Sequence, residues 1–86
     1  MIKGELKSGF KFQIEETALD NMELVDAIAE TEDNPTAVGK VALFLLGKEQ
    51  KKALYEHLRT DAGNIPVQAF ADAVVEILGS TKQGKN

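Results

Sequence analysis

The sequence predicts a mainly α-helical fold, a small bundle of about four helices with a short N-terminal strand or hairpin. Three observations carry this. Apolar residues recur at intervals of three and four from residue 18 onward, and a two-residue alternation is confined to the first fifteen positions. Gly, Pro and Asn punctuate the chain between these stretches.

The strand comes first. Phe10, Phe12 and Ile14 alternate with Lys11, Gln13 and Glu15, which puts the apolar side chains on one face of an extended segment. Upstream, Gly4, Ser8 and Gly9 interrupt any regular pattern, so Ile2 to Leu6 reads either as a partner strand across a turn or as an ordered arm. A two-stranded ribbon is marginal alone in water and has to lie on helices or pair with another chain.

The first helix is expected over residues 18–31, where Leu19, Met22, Leu24, Val25, Ile28 and Ala29 take helical spacing and Thr17 is a candidate N-cap. Glu30, Glu32 and Asp33 crowd its far end, where the helix dipole disfavours them. Asn34-Pro35 then opens a second helix over residues 35–46, because Asn caps the free amides and Pro lacks the orphan N–H. Its run from Val41 to Leu46 is apolar all round, and Gly39 would permit a close helix crossing. Gly47 is placed to take the left-handed conformation that ends this helix.

A third helix follows over residues 48–59, with Ala53, Leu54, Tyr55 and Leu58 inward, and Thr60 to Asn64 form a loop. Pro66 opens a fourth helix in which Val67, Phe70, Ala71, Val74, Ile77 and Leu78 make one stripe, and Gly79 is expected to stop it. The expected core gathers Leu24, Ile28, Val41, Leu45, Leu54, Leu58, Phe70, Val74 and Ile77, with Phe10 or Phe12 laid across one face. Residues 1–79 thus read as a single helical domain and residues 80–86 as a polar, disordered tail.

At 86 residues with 43% hydrophobic and 28% charged side chains, the chain has the composition of one small globular domain. Its 14 acidic and 10 basic residues give a formal charge of −4, which disfavours phosphate backbones, so no nucleic acid partner is expected. The longest apolar run, six residues from Val41 to Leu46, is far short of the roughly 20 a membrane span requires. No apolar leader opens the chain, and neither classical export nor membrane insertion is expected.

Catalytic chemistry is not expected either. Cysteine is absent, His57 is the only histidine, and no second ligand of that kind completes a metal site, so no metal and no cofactor are assigned. Glu15, Glu16, Glu30, Glu32 and Asp33 lack calcium-loop spacing, and Ser8 and Ser80 lie outside any nucleophile-elbow pattern. Lys48, Gln50, Lys51 and Lys52 after Gly47 suggest a helix-turn-helix reader of DNA, but a helical hairpin with a solvated basic face explains them better in so acidic a chain.

Several segments in order carry a resemblance: Phe10-Lys11-Phe12-Gln13-Ile14, the acidic helix from Leu19 to Glu30, the apolar Val41 to Leu46 followed by Gly47-Lys48-Glu49-Gln50, and Leu54-Tyr55-Glu56-His57-Leu58-Arg59 with Asp61-Ala62-Gly63-Asn64-Ile65-Pro66-Val67. Over roughly Phe10 to Leu78 the chain resembles the tail assembly chaperones of long-tailed bacteriophages and prophages. It departs from them at Met22, about where members often carry an aromatic residue.

The resemblance implies a helical protein of the host bacterial cytoplasm that binds the tape measure protein, and tail tube subunits, before tail assembly, and is not found in the mature virion. It also implies two gene products, this chain being the short one and a longer one arising by programmed frameshifting. Gln83-Gly84-Lys85 can be encoded by a slippery heptamer of the form G-GGA-AAA or G-GGA-AAG. The expected partner surface is the fourth helix through Phe70, Val74 and Leu78, forming the edge of an apolar groove for a tape measure helix, unless that stripe is simply core. A generic helical adaptor shares these features and is the competing expectation; homo-oligomerisation is left open.

Overall fold

The structure, a computed structural model, describes residues 1–82. It is mainly helical and begins with an antiparallel hairpin, β1 (Ile2–Glu5) and β2 (Lys11–Ile14), followed by α1 (Glu16–Leu19), α2 (Met22–Asp33), a 3-10 turn (Pro35–Ala37), α3 (Val38–Leu58) and α4 (Val67–Lys82). Ile2 to Leu6 is therefore a partner strand and not an arm. The register pairs Ile2 with Ile14, Lys3 with Gln13, Gly4 with Phe12 and Glu5 with Lys11.

The alternation read from the sequence sets which face of the hairpin is covered: Leu6, Phe10, Phe12 and Ile14 are buried while Lys3, Glu5, Lys11 and Gln13 are exposed. Both Phe10 and Phe12 belong to the core, where one had been expected. β2 packs on α3 and β1 on α4, so the helices supply the apolar support that a lone hairpin lacks. The ring of Phe12 lies over Gly4, and a Cβ at Gly4 would come within 2.5 Å of Phe12 Cζ. Glycine at this position is thus a requirement of close packing.

The expected first helix is two helices. Asp20 leaves the helical region (ψ 65°), Asn21 is extended, and the Asn21 side chain accepts a 3.0 Å bond from Glu23 N–H to start α2 afresh. Asp and Asn side chains compete for backbone amides in this way, and that competition overrides the apolar spacing that runs through them. At the other end, the acidic close of α2 is partly compensated by Lys40, whose Nζ lies 3.2 Å from Glu30. Asn34 caps as expected, accepting from Thr36 N–H at 3.3 Å, but Pro35 opens a 3-10 turn before α3 begins at Val38.

The expected second and third helices are the two halves of α3, which meet at Gly47 with φ 81° and ψ 168°. The positive φ is as expected, yet the extended ψ is not that of a left-handed cap. This region of backbone space is essentially reserved for glycine, and passing through it for one residue redirects the helix instead of ending it. Gly39 does not serve a helix crossing, since the nearest atom to a Cβ built there is Lys51 Nζ at 3.8 Å.

α4 runs past Gly79, correcting both the expected stop there and the disorder expected from Ser80. Ser80 and Thr81 donate their hydroxyls back to the carbonyls of Ile77 (2.9 Å) and Leu78 (2.7 Å), satisfying acceptors that a helix end exposes. The rest of the expected tail, residues 83–86 with the Gln83-Gly84-Lys85 segment, lies outside the described residues.

The core joins the hairpin to Leu24 and Ala27 of α2, Val41, Leu45 and Leu54 of α3, and Phe70, Val74 and Ile77 of α4. Two expected members differ: Ile28 is exposed and Leu58 is half-buried. Among the described residues no helix is long and apolar enough to cross a membrane.

Candidate functional site

α4 presents its apolar stripe in two directions, partly into the core and partly to the surface. Phe70 and Val74 are buried, and Leu78 is half-buried against the core, so as side chains the first two are chiefly structural. Phe70 packs its ring 5.2 Å from that of Tyr55. All three nevertheless line a crevice formed of two adjoining hollows along α4, Phe70 in one and Val74 and Leu78 in the other. One end is walled by Tyr55, Ile65, Val67 and Phe70, with Val38 and Gly39 opposite. The other is walled by Ala71, Val74, Val75 and Leu78, with Ile28, Pro35, Val38 and Val41 opposite. Val38 is common to both ends.

The exposed apolar area of this crevice comes from residues outside the expected partner surface of Phe70, Val74 and Leu78. Val67 is 69% and Val75 66% exposed, and Ile28 stands at the α2 rim. On α2, Val25 lies one turn from Ile28 and Met22 one turn further, and both are exposed, so the apolar strip continues beyond the crevice along that helix. Scattered exposed apolar residues are ordinary, whereas neighbouring exposed apolar residues along one groove are less so. From Val67 to Leu78 the α4 wall is about 16 Å long at 1.5 Å per residue, the length of about three turns of an occupant helix.

Val75 could have been found in the sequence from the width of the stripe, since it lies four residues from Ala71 and three from Leu78. Val38 and Ile28 could not, because their place depends on how α2 and the start of α3 lie against α4.

Elsewhere the polar side chains hold elements together. The Gln50 amide accepts from Gln13 N–H at 2.7 Å and donates to Gln13 C=O at 2.6 Å and to Leu46 C=O at 2.8 Å, so it stands where a third strand would. Lys51 Nζ lies 5.5 Å from the centre of the Tyr55 ring. The polar start of the second half of α3 is therefore turned partly inward, leaving Lys48 and Lys52 exposed.

His57 is less isolated than its sequence context suggests. Its Nε2 lies 3.0 Å from Ser8 Oγ, and its ring centre 5.4 Å from that of Phe10, tying the hairpin turn to α3. The pair is exposed, and among the described hydrogen bonds none orients the second ring nitrogen, so the arrangement lacks the ordered base that an activated serine needs. No group of three or more His, Asp or Glu side chains converges among the described residues.

Arg59 forks onto Glu56 with Nη2 at 2.7 Å and donates Nη1 to the Gly63 carbonyl, also at 2.7 Å, which pins the loop before α4. The hydrogen bond from Arg59, aided by its charge, lowers the Glu56 pKa below the ordinary glutamate range, and Glu56 raises that of Arg59. A depressed carboxylate pKa stabilises the fold above the ordinary range and loses that contribution as pH falls through the depressed value. Both groups are exposed, so the effect is small and screened by salt.

Comparison of the chain with family models, with curated proteins and with solved structures finds no match.

Proposed function

We propose that the chain is a phage or prophage tail assembly chaperone that holds an apolar helix of the tape measure protein in the crevice along α4. The observation that carries this reading is the pair of mainly apolar hollows that flank Val38 along about three turns of α4, edged by the exposed Val67, Val75 and Ile28. Such a surface suits a helix whose apolar face would aggregate if left free, by helix-in-groove packing. The ordered segments that resemble the chaperone family give the client its identity, and the net charge of −4 suits a carrier that keeps such a client dissolved. Tail tube subunits are a second client on this reading. It places the protein in the host cytoplasm during assembly and outside the finished particle.

The experiment is co-expression with the tape measure protein encoded in the same phage or prophage. The wild type is expected to keep the client soluble and to co-purify with it. Val75→Asp and Leu78→Asp are expected to lose it while remaining folded by circular dichroism, and Leu43→Asp, on an exposed position outside the crevice, is expected to retain it. Undiminished recovery with both crevice variants overturns the docking surface, and a client equally soluble without the chain overturns the chaperone role. A generic helical adaptor shares the crevice and is separated by the gene's surroundings: a very long downstream reading frame for a tape measure protein belongs to the chaperone.

A further inference from the structure

We infer that β1 is a self-pairing edge, through which two copies of this chain join antiparallel into one four-stranded sheet, β2-β1-β1-β2. In an antiparallel ladder the residues of a pair alternately face each other and face away with their backbone groups. Leu6 N–H bonds to Phe10 C=O at 2.8 Å, which makes Leu6 and Phe10, and hence Gly4 and Phe12, the inward-facing pairs. The N–H and C=O of Lys3, Glu5, Lys11 and Gln13 therefore point away from the hairpin. On β2 the Gln50 amide already fills this edge at Gln13. At the turn, Glu76 accepts the Lys7 N–H at 2.8 Å. Among the described residues no hydrogen bond engages the outward groups of Lys3 or Glu5, the whole open stretch of β1.

The charges on that stretch fit a second copy. An antiparallel pairing centred on Gly4 sets Lys3 opposite Glu5 of the other copy and Glu5 opposite its Lys3. In that register both residues present their free N–H and C=O to each other, so backbone bonds and ion pairs are satisfied together. Across the exposed face the order becomes Lys11, Glu5, then Lys3 and Gln13 of the second copy, so opposite charges adjoin. At the centre Gly4 meets Gly4, and no side chain opposes the close approach of a non-hydrogen-bonded pair. A charged edge strand ordinarily resists association. Here the two charges are two residues apart and of opposite sign, so the same strand repels arbitrary edges and accepts its own copy in one register. The interface is isologous and closes at two chains. It is also small, so the equilibrium belongs to the weak class.

Sedimentation equilibrium of the full chain up to roughly millimolar concentration tests this. The wild type is expected to show a monomer–dimer equilibrium. Lys3→Glu, with two acids facing two acids, and Glu5→Lys, with two bases facing two bases, are each expected to associate at least about tenfold more weakly, with circular dichroism showing the fold intact. Mixed in equal amounts the two variants become complementary, and a heterodimer of about wild-type affinity is expected. A wild type that stays monomeric throughout, a dimer unaffected by Lys3→Glu, or a mixture no more associated than its components overturns the proposal.

Discussion

At the scale of single residues, the fold depends on how much room each core position leaves. Gly4 has none to spare, because Phe12 occupies the place of a Cβ. Gly4→Ala must displace that ring or the strand, and is expected to cost about 1–3 kcal/mol, as overpacking does. Chemical denaturation measures it, and a variant as stable as the wild type means that the ring moves freely. Leu45, 3% exposed in the core, tests the opposite fault. Leu45→Ala removes packing that the neighbours recover only in part, with an expected loss of about 2–5 kcal/mol. A loss below about 0.5 kcal/mol, the size of a surface effect, excludes Leu45 from the core. The alternation of Phe10, Phe12 and Ile14 made the hairpin's buried face legible, but nothing local showed that Gly4 sits beneath Phe12. That followed only from the register.

At the scale of elements, the breaks were harder to read than the helices. Apolar spacing ran through Asp20 and Asn21 without interruption, yet the Asn21 cap divides α1 from α2. Gly79 looked like a stop, yet the hydroxyls of Ser80 and Thr81 carry α4 past it. In both places a side-chain hydrogen bond outweighed a weak backbone preference. Gly47 is the opposite case, where the residue type was decisive. Its φ of 81° and ψ of 168° are closed to other residues, so Gly47→Ala is expected to cost about 1–3 kcal/mol although a Cβ there meets no atom within 4 Å. Thermal denaturation reads this. An unchanged melting temperature would mean that the two halves of α3 can join as one straight helix, and the Gln50 contacts with Gln13 would then have to break.

At the scale of the whole molecule, the apolar residues of α4 divide between two tasks. Phe70, Val74 and Ile77 hold the bundle together, while Val67 and Val75 stand in the open crevice. Polar replacement should separate them: Val67→Asp and Val75→Asp are expected to change stability by less than about 0.5 kcal/mol, and Val74→Asp, which buries an unpaired carboxylate, by several times that. Equal losses at Val74 and Val75 would show that the crevice is closed in solution. The sequence by itself determined the class of fold, the N-terminal extended segment with its buried face, and the need for glycine at the positive φ of residue 47, because these rest on periodicity and on the backbone limits of single residues. It placed Phe70, Val74 and Leu78 on one stripe but left open whether that stripe was core or docking surface. Only the tertiary structure decided which of its side chains are buried, since burial depends on what lies opposite: the Tyr55 ring packs on Phe70, while Val75 stays exposed beside the hollow that Ile28, Pro35, Val38 and Val41 line with it.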